Sequence, residues 1–253
     1  MNTETNKKII EIKNLTKIYQ LNQFNLKSFK NDLLKKFEKK NRERNKFIKA
    51  IDDLTLNIFQ GDKIGLIGKN GSGKSTLMRI LSGITKPTEG EIILKDTVTS
   101  ALQGSFAFQS DLTARDNINQ FCAFKGLNFQ KTKEVFDTIV NFAECENFVE
   151  TPIKRFSSGM SMKLALSIAI HIPGQIMIFD EIFNYIDYEF KEKVKIFIKE
   201  KIISEKKTLI LVSHDYDLIK GLCNKVLLLE KGKIKFIGAT DEGLKIYGKG
   251  PNL

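Results

Sequence analysis

The stretch Gly68-Lys69-Asn70-Gly71-Ser72-Gly73-Lys74-Ser75-Thr76 constrains this chain more than any other, because it fits the pattern G-x-x-x-x-G-K-[ST]. Such a loop wraps a polyphosphate with inward-turned backbone N–H groups, and glycine is needed wherever a side chain would block the anion. The candidate nucleotide-binding residues are therefore Gly68, Asn70, Gly71, Ser72, Gly73, Lys74, Ser75 and Thr76, with Lys74 as a point charge on the phosphates and Ser75 as a hydroxyl for Mg²⁺. The flanks agree: Lys63-Ile64-Gly65-Leu66-Ile67 has the composition of a short strand, and Thr76-Leu77-Met78-Arg79-Ile80-Leu81 opens a helical period. A glycine loop between strand and helix implies an α/β fold and ATP or GTP chemistry.

With 253 residues, 42% of them hydrophobic, the chain can bury one large α/β core, so a single domain with a subdomain is expected. The polar start Met1-Asn2-Thr3-Glu4-Thr5-Asn6 lacks a signal-peptide core, and no apolar run approaches the roughly 18 residues that span a bilayer. A cytosolic location is expected. Cys122, Cys145 and Cys223 have no metal-ligand spacing and read as buried thiols.

The net charge of +11 is concentrated between Lys27 and Lys49, which hold ten Lys or Arg against three acids. Phe29, Leu33, Leu34 and Phe37 recur there at helical spacing, so the segment reads as a basic amphipathic helix. It can be a solvated face folded back on the core. It can also dock on an anionic membrane surface, where each Lys is worth about 1 kcal/mol. Nucleic acid is not expected as a partner: Arg is scarce and no helix-turn-helix or aromatic-studded sheet is legible.

Ile9–Ile12 and Lys17–Tyr19 read as short strands, and Leu54–Ile58 alternates into a Gly61-Asp62 turn, giving a β-rich entry. From about Asp116 to Ile172 the periodicity is helical. Ile176-Met177-Ile178-Phe179 and Thr208-Leu209-Ile210-Leu211-Val212 are continuous apolar runs, as in parallel strands buried on both faces, and Lys225–Leu229 with Ile234–Ile237 flanks a Lys231-Gly232 hairpin turn.

Asp180-Glu181 closes the strand that begins at Ile176. One carboxylate there can hold Mg²⁺ through water, and its neighbour can orient and deprotonate an attacking water; Asp180 is assigned to the metal and Glu181 to the base. His214 follows another strand of the same sheet, where parallel sheets place their ligands, and is assigned to sensing the γ-phosphate.

Phe156-Ser157-Ser158-Gly159-Met160, before a helix from Ser161 to Ile170, resembles the signature motif of ABC-type ATPases. A Ser and a Gly at a helix N-terminus can form an anion site. The resemblance covers nearly the whole chain and is nearest to the ATP-binding subunits of polysaccharide exporters, those moving O-antigen, capsule or teichoic acid. Ser157-Ser158-Gly159-Met160 with Lys163-Leu164-Ala165 is similar to their S-S-G-M-x-x-[RK]-L-A, and Leu112-Thr113-Ala114-Arg115-Asp116-Asn117-Ile118 to their L-T-G-R-E-N-I. Asp187 matches D-E-x-x-x-x-G-D-x-x-F, although Ile186 replaces the Gly.

The resemblance implies an ABC-type P-loop fold over residues 1–253: a parallel-sheet core, an antiparallel β subdomain and a helical subdomain near residues 104–173. It implies a homodimer with ATP sandwiched between subunits, where Ser157, Ser158, Gly159 and Asp187 meet the partner's nucleotide. It places the ring of Tyr19 on adenine. Gln103, preferred over Gln109, would link Mg²⁺ to a transmembrane permease. The implied location is the cytoplasmic face of the cell membrane, and a chain ending at Leu253 leaves no room for the sugar-binding domain some relatives append. A lipid or drug exporter ATPase and a soluble ABC protein acting on nucleic acid are the competing readings.

Overall fold

The computed structural model describes residues 7–21, 46–102 and 108–248. In chain order its strands are β1 (Lys8–Leu21), β2 (Lys46–Phe59), β3 (Lys63–Ile67), β4 (Glu89–Leu94), β5 (Val98–Leu102), β6 (Ile176–Asp180), β7 (Thr208–Val212), β8 (Lys225–Glu230) and β9 (Lys233–Ala239). The α-helices are α1 (Lys74–Leu81), α2 (Ala114–Phe124), α3 (Phe129–Ala143), α4 (Ser158–His171), α5 (Tyr188–Glu205), α6 (Tyr216–Leu222) and α7 (Thr240–Gly248).

One sheet is antiparallel in the order β2-β1-β4; the other has the order β5-β6-β7-β3-β8-β9, parallel except for the β8–β9 hairpin. The continuous apolar runs read as doubly buried strands are so buried. Ile176, Ile178, Ile210 and Val212 pack toward β1, β2 and α1, whereas Met177, Phe179, Leu209 and Leu211 pack toward α4, α5 and α6. A third cluster joins α2 and α3 to Leu164, Ile168 and Ile172. Helix α4 thus contributes to two cores at once, which is why its sequence is apolar almost all round after the first turn. Polar residues fix the helix starts: Thr113 and Asp116 form a capping box on α2, and Ser157, Asp187 and Asp215 cap α4, α5 and α6.

Several expectations need correction. Ile9–Ile12 and Lys17–Tyr19 belong to one strand, interrupted by a bulge where Asn14 takes φ 48° and donates from Nδ2 to Asp53 Oδ1 at 2.9 Å. Residues 46–49, expected as the end of the basic helix, open β2 instead, because Tyr19, Gln20 and Leu21 pair with Ile48, Phe47 and Lys46. The rest of that basic stretch, 27–45, lies outside the described residues. Helix α4 starts at Ser158 rather than Ser161: the Ser157 hydroxyl accepts from Met160 N at 3.1 Å, so low-propensity Ser and Gly are held in the first turn. Strands β4 and β5 and helices α5, α6 and α7 have no counterpart in the sequence reading. In β4, alternation is weak because its residues are mostly exposed at the sheet edge.

Candidate functional site

The loop between β3 and α1 is dictated by its glycines. Gly73 takes φ 107°, and a Cβ there would lie 2.4 Å from Ala50 O; at Gly68 a Cβ would meet Leu229 O at 2.3 Å and Ser72 Oγ at 2.6 Å. No other residue fits either place. The β8–β9 hairpin braces the loop from outside. Its turn residues Lys231 and Gly232 both take positive φ, as a two-residue hairpin requires, and Gly232 N donates to Ser72 O at 3.0 Å.

Lys74 is 8% exposed, and its ammonium donates to Gly68 O at 2.7 Å and Lys69 O at 3.2 Å. Burial holds its pKa below that of an ordinary lysine, with Glu181 and Asp180 pulling the other way. Asp180, 6% exposed at the end of β6, has its pKa raised by burial and by neighbouring Glu181, while a hydrogen bond from the Ser75 hydroxyl and the charge of Lys74 oppose the shift.

Parallel pairing of β6 with β7 and of β7 with β3 brings the next groups to the same edge. Glu181 sits in the left-handed region at φ 52°, anchored by its N–H to Val212 O at 3.0 Å. That turn aims its carboxylate at the loop after β7, where Glu181 Oε1 lies 2.9 Å from His214 Nε2. Lys74 and His214 line one recess together with Gly68 and Ser213. The structure therefore brings together Gly68–Thr76, Asp180, Glu181 and His214, which sequence reasoning drew from three separate segments.

Ser157, Ser158, Gly159 and Asp187 form a second group. Ser157 and Ser158 are exposed at the start of α4, and Gly159 lies against Tyr185 O, where an added Cβ would come within 3.7 Å. Asp187 caps α5 through Oδ1 to Phe190 N at 2.9 Å, and its Oδ2 meets Lys163 Nζ of α4 at 2.7 Å. That bond to Lys163 is the first cause holding the Asp187 carboxyl below the usual carboxylate range. Sequence reasoning gave Lys163 no role; its place two turns into a helix from which Ser157 projects was the available signal.

Tyr19 is half-buried near the end of β1, opposite Ile48, with the Lys17 ammonium 5.1 Å from its ring centre. Two residues beyond Ile48, the Ala50 carbonyl packs on Gly73, so Tyr19 sits at the end of the antiparallel sheet that approaches the phosphate loop. Gln103 lies outside the described residues. Gln109 is clamped through its backbone, which donates to Asn117 Oδ1 at 2.8 Å and accepts from Asn117 Nδ2 at 3.1 Å.

The loop suits a polyphosphate. Ser72 Oγ is buried with no hydrogen-bond partner, an acceptor and donor left for a ligand, and Gly71 faces open space with no atom within 4 Å of where a Cβ would stand. Ser75 and Asp180, hydrogen-bonded to one another with the charge of Lys74 nearby, offer the hard oxygen donors that Mg²⁺ takes.

The ABC transporter family model matches residues 51–184, from β2 to just past Glu181. The chain is 35% identical over 211 residues to the teichoic acids export ATP-binding protein TagH of Shouchella clausii, a match covering 83% of this chain and 58% of that protein. It is 31% identical over 250 residues to the protein of the same name from Listeria monocytogenes, covering 96% of this chain and 72% of that one. The ATP-binding cassette MJ0796, solved as a dimer in a post-hydrolysis state bound to ADP and Pi, has the same fold, with a TM-score of 0.74 at 22% identity over 91% of this chain and 98% of that one. An ATP-binding subunit of an ABC transporter gives a TM-score of 0.74 at 18% identity, covering 96% of this chain and 95% of that one. The family match contains both the phosphate loop and the Asp180-Glu181 strand end, and the fold likeness extends over 91% to 96% of the chain. On these grounds the protein belongs to the ABC transporter family, as one of its ATP-binding domains.

Proposed function

We propose that this ABC ATPase powers export of a lipid-linked polysaccharide of the teichoic acid type by driving a separate transmembrane permease. The substrate class rests on the likeness to the teichoic acids export ATP-binding proteins, 31% identical across 96% of this chain. The first relative is longer: this chain spans 58% of it. Among the described residues no helix is long and apolar enough to cross a membrane, which fits a subunit that works on a partner at the cytoplasmic face.

In this reading the chain is one cassette whose helical subdomain lies near residues 104–173. Tyr19 supports adenine, Gly68–Thr76 cradle the phosphates, and Lys74 leaves its loop carbonyls to neutralise phosphate charge. Ser75, Asp180 and Gln103 would hold Mg²⁺, which when bound would supply charge neutralisation at the phosphates. The observation that carries this reading is the 2.9 Å contact between His214 Nε2 and Glu181 Oε1. It fixes the carboxylate that takes the proton of the attacking water and leaves the imidazole beside the γ-phosphate position. Ser157, Ser158, Gly159 and Asp187 face outward toward the nucleotide of a second copy, consistent with the dimeric cassettes that share the fold.

Deleting the gene in its host is expected to leave glycan precursor inside the cell and none at the surface. Normal surface glycan with altered drug or lipid efflux would overturn the assignment.

A further inference from the structure

His214 is exposed, its side chain 53% accessible, yet it must hold one direction to keep Glu181 in place. Its loop is fixed at the residues on either side. Ser213 is buried, and its hydroxyl accepts from Asp215 N at 3.0 Å. Asp215 divides its two oxygens: Oδ1 accepts from Leu218 N at 3.0 Å and caps α6, while Oδ2 is paired with Lys191 Nζ of α5.

The cap alone would fix Asp215 to its own helix. The bond to Lys191 ties it to a different element, and both side chains are largely covered, at 19% and 30% accessible. In that setting an ammonium–carboxylate bond is stronger and less screened than on an open surface. Lys195, one turn further along α5, contributes charge near Asp215 but is bonded to Glu192 at 2.8 Å. Helix α5 begins at Asp187, which Lys163 holds to α4. Its first two turns thus run from the outward-facing group around Ser157 to the loop that carries His214.

We propose that Lys191 is a positioning residue for ATP hydrolysis: by holding Asp215 to α5 it sets the direction of His214, and through it Glu181. Through Asp187 the same stretch of α5 joins His214 to the helix that faces the partner's nucleotide. The inference rests on the assignment of Glu181 and His214 to hydrolysis. Without Lys191 the loop keeps its cap but loses its outer anchor, and small displacements of catalytic groups are costly in rate.

The test is steady-state ATPase kinetics of the full chain with Mg²⁺. Lys191→Met, which keeps most of the aliphatic stem, is expected to lower kcat about tenfold with KM within about twofold, and Lys191→Arg to recover most of the loss. In a His214→Ala background Lys191→Met is expected to add nothing, since the residue it positions is gone. An unchanged kcat in Lys191→Met, or a loss of the same size in the His214→Ala background, would overturn the proposal. Parent-like hydrolysis by His214→Ala alone would instead overturn the assignment of His214. Thermal unfolding of each variant separates lost positioning from lost folding.

Discussion

The two groups of candidate residues differ in how far each is finished within one chain. Around Lys74 and Asp180 the site is prebuilt: both side chains are almost fully buried, and Gly68 and Gly73 are locked against Leu229 and Ala50. Around Ser157 and Asp187 the residues are exposed, and their polar groups are spent internally, Ser157 on its own helix and Asp187 on α5 and Lys163. A buried half can set charge and pKa by itself, whereas an exposed half offers a surface whose ligand must come with another molecule. The difference teaches that the group around Lys74 is complete within a single chain, whereas under the proposed function the group around Ser157 would need a partner to cover it.

The sharpest way to break that contrast is to remove chemistry from the buried half. Glu181→Gln is expected to lower ATP hydrolysis by about 10² to 10⁴, the usual loss when a general base is removed, while nucleotide binding persists. Phosphate release at the parent rate would take Glu181 out of the mechanism.

The exposed half is tested by assembly. With ATP, Glu181→Gln should form a homodimer, and adding Ser157→Arg should weaken that dimer at least about a hundredfold by placing a bulky cation on the contact surface. Folding should suffer only the loss of a helix cap, about 1 kcal/mol. Light scattering with and without nucleotide decides it, and a dimer that survives Ser157→Arg would mean this face is not the one that meets the partner.

The rigidity of the buried half can be measured by two neighbouring glycines. Gly73→Ala should cost about 2 to 3 kcal/mol, since it strains a left-handed backbone and pushes a methyl into the Ala50 carbonyl. Gly71→Ala, with φ 78° but open space around it, should cost about 1 kcal/mol. Equal midpoints in urea would show that the loop is not locked as described.

Helix α4 gives the smallest and finest test, because its start is open and its end is buried. His171 is packed between Phe142 and Phe197, its Nδ1 2.8 Å from Ser167 O, and burial lowers its pKa to about 4. As pH falls, the unfolded chain takes up this proton first, near its ordinary value of 6.5. The stabilisation is therefore complete above about pH 6.5 and is lost progressively as pH falls toward 4. Between neutral pH and about pH 5 the parent should lose about 2 kcal/mol more than His171→Leu. Parallel losses in the two proteins, measured by urea unfolding at each pH, would assign the acid sensitivity to other groups.

Short-range rules made one part of this protein legible in its sequence. The phosphate loop is nine consecutive residues whose glycines are required by backbone angles at each place, and the strands β6 and β7 announce themselves by being apolar on both faces. The cap at Ser157 and the hairpin turn at Lys231-Gly232 are likewise local chemistry. Other features were hidden because their cause is distant in sequence. The bulge that joins two strand fragments into β1 depends on Asn14 meeting Asp53, and β4 is defined by pairing with β1 more than by its own pattern.

The sequence by itself determined that the chain binds a polyphosphate and carries a strand-end carboxylate pair, since both depend on residues adjacent along the chain. Only the tertiary structure decided that Glu181 and His214, 33 positions apart, are in contact, and that Lys191 anchors the residue beside His214. The physical reason is the strand order. Placing β7 between β6 and β3 brings three loop ends to one edge of the sheet, and that order is settled by the burial of both sheet faces rather than by any local preference.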